Sequence, residues 1–591
     1  MTTCPNTLLR PQPFLPFAAC FAAVALLWLP LPAQAIDPTR LAPESTVVFA
    51  ELSRPEALIE SALAASTWDL LQGVGTFQKY LQSPEYGHLH MVTGIAEARL
   101  GTSWQAAVRD VLGGGVWLAA DPAGESVLLF VRSRKPELLT KLNDLLIELT
   151  EGDVKNHGRP SPVKSEEHQG IRGWTFGGGE AHTIIEDLLI VSNKADTLKA
   201  VIDRFRDPAA KGLAAAGTFQ QARAAVPGGA IAWFWGDLTA LRKAPNVEQA
   251  LANRSNNPLG ELLLAGVLDT VRYAPYATAS VQFEGKRLRF RAELPRDASR
   301  TAATRNWFFA PRPNQGAPAA LAPKEAIATF AFFRDLAGLW LARDELFDEK
   351  TTAGFAQADS QLGLFFSGRD FGPEVLGELE PDLQFVVARQ EYAADQPVPA
   401  LKLPSLALVL RLKHADDFAE PLLLGYQNIV GLTNIIGAQQ GQPQLKQSTE
   451  EYRETTITKA IYVAPPKNTP RDKAPINYNF SPSCARVGEH FIIGSTVGIV
   501  RQLIDRLKEG TTTTADNTSL SLEAAPLAAI LEDNRELLIT QNMLTEGRSR
   551  PEAEQAIATL LQIVRLLDRA QLRLIADSNV VALELSADLA R

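Results

Sequence analysis

The stretch EDLLIVSNKADTLKAVIDRF, Glu186 to Phe205, has a near copy far downstream, GEHFIIGSTVGIVRQLIDRL, Gly488 to Leu507. Each reads as a strand, a polar turn and an amphipathic helix. With Ile202-Asp203-Arg204 set against Ile504-Asp505-Arg506, no gap is needed. Leu198, Val201, Ile202 and Phe205 fall on Val500, Leu503, Ile504 and Leu507. That is the i, i+3, i+4, i+7 stripe of a helix lying on a core, reproduced in phase. Leu189-Ile190-Val191 likewise matches Phe491-Ile492-Ile493. The turns, Ser192-Asn193 in one and Gly494-Ser495-Thr496 in the other, supply residues suited to capping a helix N-terminus.

One matched segment could arise by chance, whereas a matched order of segments constrains the whole fold. LAPESTVVFAEL begins at Leu41 and LAPKEAIATFAF at Leu321. Helical sequence follows each, then two β-rich runs: Gly114 to Ser133 in the first case, Leu383 to Lys413 in the second. A helix comes next, then the strands GIRGWTF and TTITKAIYV, then the repeated strand-turn-helix. Both copies close with helices and a hairpin, turning at Glu284-Gly285 and at Asp577-Ser578-Asn579, with apolar alternation on either side. The expected fold is α+β: two tandem homologous domains, each with antiparallel strand pairs packed against amphipathic helices. Copy one spans residues 36–295 and copy two 321–591. Residues 296–320 form a Pro-containing linker in which Trp307-Phe308-Phe309 anchors against a domain. The second copy has gained material, including the Pro- and Lys-rich stretch Ala464 to Asn479, which is expected to be an exposed loop.

This order resembles an uncharacterised family of secreted bacterial proteins of unknown function. The resemblance rests on the opening Leu-Ala-Pro followed by a strand, on FSPSCARVGEHFIIGS, Phe480 to Ser495, and on the strand-turn-helix after it. It implies an exported, repeat-built protein and brings no activity to any residue.

The N-terminus points the same way. Phe14 to Pro32 is an almost uncharged apolar run behind Arg10, and Ala33-Gln34-Ala35 is a small-x-small cleavage pattern, so residues 1–35 read as a signal peptide. Two alternatives stay open: a lipidation box at Phe17-Ala18-Ala19-Cys20, and an uncleaved anchor. No later run approaches the roughly 18 uninterrupted apolar residues of a membrane helix. Cys4 and Cys20 leave with the signal, so Cys484 remains alone and no internal disulfide is available. Stability must come from apolar burial, for which 46% hydrophobic residues over 591 positions is ample. The balance of 58 Lys and Arg against 67 Asp and Glu, with no long basic run, argues against nucleic acid, whose binding draws on phosphate neutralisation.

No constellation assembles a catalytic, cofactor or metal site. Gly494-Ser495-Thr496-Val497-Gly498 has the strand-to-helix setting of a nucleophile elbow, but with Thr496 at its centre it reads as a helix cap. His88 and His90 could share a strand face and ligate zinc, yet no dense ligand set lies nearby. Cys484 and His490, taken as one strand arm, would stand roughly 20 Å apart. Gly113-Gly114-Gly115 and Gly177-Gly178-Gly179 lack the spacing of phosphate loops and read as tight turns. Trp233-Phe234-Trp235 puts both tryptophans on one strand face, in core or stacked on a sugar. The helix from Phe418 to Ile436 is apolar enough to be buried on most sides or to line a lipid groove.

The expectation is an exported, non-catalytic binding or scaffold protein of the bacterial periplasm or cell envelope. Its partner is an envelope protein or a hydrophobic ligand, it needs no cofactor, and it meets the membrane only through an uncleaved signal. The alternatives are a periplasmic hydrolase with Thr496 as nucleophile, and a carrier of a lipid or other hydrophobic ligand. If the leader is cleaved, N-terminal sequencing of protein from fractionated cells will begin at or near Ile36, outside the cytoplasm; intact Met1 in a soluble cytoplasmic fraction would reject it.

Overall fold

The computed structural model describes residues 35–63, 68, 72, 75–156, 160–310, 315–392, 397–463 and 474–590. The leader, Pro311 and Pro313 of the linker, and residues 464–473 of the long loop lie outside them. The chain is α+β, and among the described residues its strands join into one antiparallel sheet of twenty.

In the first half the strands are β1 (Val48–Leu52), β2 (Val116–Asp121), β3 (Ser126–Arg132), β4 (Val163–His168) and β5 (Ile171–Phe176). They continue with β6 (Ala181–Ile185), β7 (Leu188–Ser192), β8 (Ala232–Asp237), β9 (Tyr276–Glu284) and β10 (Arg287–Pro295). The second half supplies β11 (Ala326–Phe333), β12 (Leu379–Ala388), β13 (Ser405–Leu412), β14 (Leu445–Tyr452) and β15 (Thr455–Tyr462). Its remaining strands are β16 (Ser483–Val487), β17 (His490–Gly494), β18 (Thr518–Glu523), β19 (Leu567–Ala576) and β20 (Val580–Leu589). The first half pairs in the order β4-β5-β6-β7-β3-β2-β1-β8-β9-β10. The second half runs β14-β15-β16-β17-β13-β12-β11-β18-β19-β20, the same order strand for strand. Antiparallel pairing between β10 and β20, from Arg287–Asp588 to Pro295–Val580, fuses the two halves.

Short turns explain the antiparallel choice, since parallel neighbours would need long crossovers. Gly285, at φ 64°, and Gly488, at φ 59°, make two of these turns in the left-handed region that glycine enters without steric cost. The two outer edges, β4 (VKSEEH) and β14 (LKQSTEEY), carry Lys and Glu, the charge pattern that discourages further strand addition.

Each half buries one face of its sheet under the repeated helix. Leu198, Val201 and Ile202 of α4 (Ala195–Arg206) pack with Phe49, Leu128, Phe130, Ile190 and both tryptophans of β8. Val500, Leu503 and Ile504 of α8 (Val497–Glu509) pack with Val386, Val409, Ile457 and Ile492. Polar contacts repeat too. Lys199 Nζ lies 2.9 Å from Glu166, and His168 Nε2 lies 2.6 Å from Asp203. At the matching places Arg501 Nη2 lies 2.7 Å from Glu450, and the Tyr452 hydroxyl donates to Asp505 at 3.0 Å.

The capping chemistry differs between halves. Thr496 is the N-cap of α8, its hydroxyl accepting from Ile499 N at 3.3 Å. In the first half Lys194 holds that position with no side-chain cap, because Asn193 is committed to β3, accepting from Val127 N and donating to Glu125 O. Trp307, Phe308 and Phe309 are buried with Ala265 of the first half and Leu574 and Val581 of the second. Beyond residue 473 the long loop departs from the expected exposure: Asn479 is buried, its Oδ1 accepting from Leu403 N and the Tyr392 hydroxyl.

Truncating Ile202 or Ile504 to alanine is expected to cost about 2–5 kcal/mol, because each side chain is buried in its core. Thr496→Ala removes one capping bond and should cost about 0.5–2 kcal/mol. Denaturant unfolding of the single variants checks both the values and their order.

Candidate functional site

An antiparallel sheet covered on one face ordinarily turns polar residues outward on the other. Here the second face is apolar. On β1, Ala50 stands between Leu118 of β2 and Phe234 of β8, with Leu129 of β3 beyond Leu118. The row continues through Ala279 and Ala292. At the equivalent place in the second half, Phe330 of β11 stands between Phe385 of β12 and Leu520 of β18, with Leu408 beyond Phe385. That row continues through Leu572 and Leu585 to Phe290 across the seam. These side chains oppose one another directly, about 4.5–5.5 Å apart at Cβ, so each row is contiguous.

Helices cover parts of this face. At one end α3 (Pro136–Asn156) reaches His182 of β6 through Asn143, whose Oδ1 lies 2.7 Å from His182 Nε2. In the middle, α6 (Pro258–Val271) and the buried aromatics of 307–309 cover Leu574 and Val581. At the far end α7 (Ala415–Gln439) lays Phe418, Leu422, Tyr426 and Val430 on Leu383, Leu410, Cys484 and Phe491. Between the covers the rows stay open. Leu118 is 38% exposed and Phe234 37%; their counterparts Phe385 and Leu520 are 39% exposed and half-buried, and Leu585 on the seam is 40% exposed. A single exposed leucine is ordinary, whereas a contiguous apolar strip repeated at matched positions makes this face the candidate binding surface.

The sequence-derived candidates distribute as follows. His88 and His90 lie on a helix, α1 (Pro84–Leu100), not on a strand, and a spacing of two at 3.6 residues per turn sends them to opposite sides. Cys484 and His490 sit on opposite arms of the β16–β17 hairpin, because the turn falls at Gly488 between them. His490 opposes Val487, three residues from Cys484, so the two are roughly 10 Å apart and on opposite faces. The Cys484 thiol is in the core under α7, and burial pushes its pKa up to about 12, so it stays protonated. Gly114 and Gly115 follow α2 (Trp104–Leu112) and lead into β2; a Cβ on Gly115 would strike the Trp117 ring at 2.5 Å. Gly177 to Gly179 turn between β5 and β6. Trp233 and Trp235 are buried against Phe219 of α5 (Gly217–Ala224), with ring centroids at 5.5 and 5.4 Å, while Phe234 points the other way. α7 is not buried on most sides: its back exposes Leu424, Ile429, Leu432, Ile435 and Ile436. Thr496 is buried with its hydroxyl engaged in the cap.

Among the described residues no group of three or more His, Cys, Asp or Glu could hold a metal ion, and no helix is long and apolar enough to cross a membrane. No protein-family model matches the chain, and no curated protein matches it. Solved structures that resemble it include crystal form I of TP0453, at 9% identity and a TM-score of 0.22 over 44% of this chain and 79% of that one. Crystal form IV of TP0453 gives 10% identity and a TM-score of 0.23 over 44% and 81%. A superposition that loose carries no conclusion about function.

His182 is a polar group set into this face. Its ring is stacked between Trp174 and Phe176, at 5.3 Å from each, and burial holds its pKa below the ordinary histidine value. The unfolded chain therefore takes up this proton more readily than the folded one. Stability from this group is full above the unfolded pKa, about 6.5, and falls as the pH drops through it. Urea unfolding from about pH 7.5 to about pH 5 should show a steeper loss for the wild type than for His182→Phe.

Proposed function

We propose that this chain is an exported, non-catalytic binding protein of the bacterial periplasm or cell envelope. It carries a hydrophobic or amphipathic ligand on the open rows of the second sheet face. The observation that carries this reading is the repetition of the same half-exposed apolar strip, Leu118 and Phe234 in one half, Phe385 and Leu520 in the other. Covering the exposed part of each such side chain gains about 1 kcal/mol, so a ligand spanning one strip gains several. The exposed back of α7 adds apolar surface of the same chemistry. The signal-like leader supports export. The common strand order of the halves supports their reading as two tandem homologous domains, in line with the resemblance to an uncharacterised secreted family. Thr496, spent on its cap, gives the hydrolase alternative no support.

Native protein is expected to co-purify with lipid or another apolar compound detectable by mass spectrometry of an organic extract. Phe234→Asp with Phe385→Asp should weaken binding of a fluorescent fatty acid by about tenfold or more while leaving the melting temperature near wild type. A ligand-free native protein that also fails to bind the fatty acid would overturn the proposal.

A further inference from the structure

The two halves differ at one place where their strand registers coincide. Gly173 of β5 opposes Glu166 and Thr183; Ile457 of β15 opposes Glu450 and Ala485. Ile457 is fully buried under Val500, Leu503 and Ile504 of α8. Gly173 offers nothing in its place, and beneath α4 a cleft of about 120 Å³ remains. Its apolar wall is made by Ala181, Ala195, Leu198 and Ile202. Lys164, Glu166, His168 and Lys199 also line it, and as residues of an edge strand and a helix surface they form its rim. Lys199 is paired to Glu166 and His168 to Asp203, whereas Lys164 forms no ion pair among the described residues. At the Lys164 position the second half has Ser448.

We propose that this cleft is a binding site for a small monocyclic aromatic carboxylate, with the ring in the space left by Gly173 and the carboxylate on Lys164. The volume is that of a ring: an apolar cavity of about 150 Å³ takes up benzene. The wall offers mainly dispersion contacts, and the rim offers Lys164, a lining cation that forms no ion pair among the described residues. The site lies on the helix-covered side of the sheet, opposite the apolar rows, so it does not depend on the proposed function.

The probes are benzoate and toluene, followed by ligand-observed NMR on the full mature chain. Wild type is expected to bind both, benzoate more tightly. Gly173→Ile copies the second half and should abolish both while keeping or raising the melting temperature, since a Cβ at Gly173 meets Leu198 only at an ordinary 3.5 Å. Gly173→Val serves as the smaller filler should the isoleucine variant fail to fold. Lys164→Gln should weaken benzoate by about tenfold and leave toluene unchanged. Ile457→Gly should open a second toluene site. Phe234→Asp should leave benzoate binding intact, which separates this site from the apolar rows. Undiminished benzoate binding in a folded Gly173 filler, or no binding of either probe by wild type, would overturn the proposal.

Discussion

The β10–β20 pairing holds the molecule together, and its register is fixed by opposite chemistry on its two faces. On the helix side Glu584, buried, accepts from Arg291 at 3.2 Å and Arg573 at 3.4 Å, and Arg289 lies 3.7 Å away. Arg573 also meets Asp516, and Arg287 grips Asp588 through two bonds of 2.6 and 2.9 Å. On the other side the same strands present Leu288, Phe290, Leu583 and Leu585. A slip of one residue would turn the arginines into the apolar face and strand Glu584 without partners. Breaking a buried ionic cluster by removing one partner costs far more than the cluster gains, so the charges act here chiefly to exclude wrong registers.

A second anchor stands behind that seam. Arg334, fully buried at the end of β11, donates to the carbonyls of Leu262 and Leu263 in α6, to Asn517 Oδ1 and to Thr518 Oγ1. Its guanidinium lies over the Phe308 ring at 3.7 Å. Among the described residues no carboxylate pairs with it, and burial brings its pKa down to about 9, which still leaves it charged at neutral pH. Carbonyl dipoles and an aromatic face replace a counterion, an arrangement suited to a delocalised guanidinium and not to an ammonium. The segment between the halves is thus part of a shared core, with Trp307 to Phe309 as its centre.

With the seam fixed, the candidate surfaces follow from what each face lacks. The helix side closes over apolar cores at both ends and puts its charge in the middle, while the other side carries the apolar rows along its middle strands and has only partial helical cover. The two halves share this plan and differ in detail. Ile457 fills a space that Gly173 leaves open, and Thr496 caps a helix that Lys194 does not.

The sequence by itself determined what is local. The stripe Leu198-Val201-Ile202 and its match Val500-Leu503-Ile504, the closing hairpins, and the alternation that buries Trp233 and Trp235 are periodic signals that need no partner to be read. It misplaced His88 and His90, whose short stretch has no strong period, and it set Cys484 and His490 on one arm because a single Gly488 turn was not recognised. It could not show that β10 meets β20, that the outward residues of β2, β8, β12 and β18 line up into open apolar rows, or that Gly173 stands where Ile457 does. Those facts live in register. Strand register joins residues hundreds of positions apart, and only the packed sheet decides which of them stand side by side.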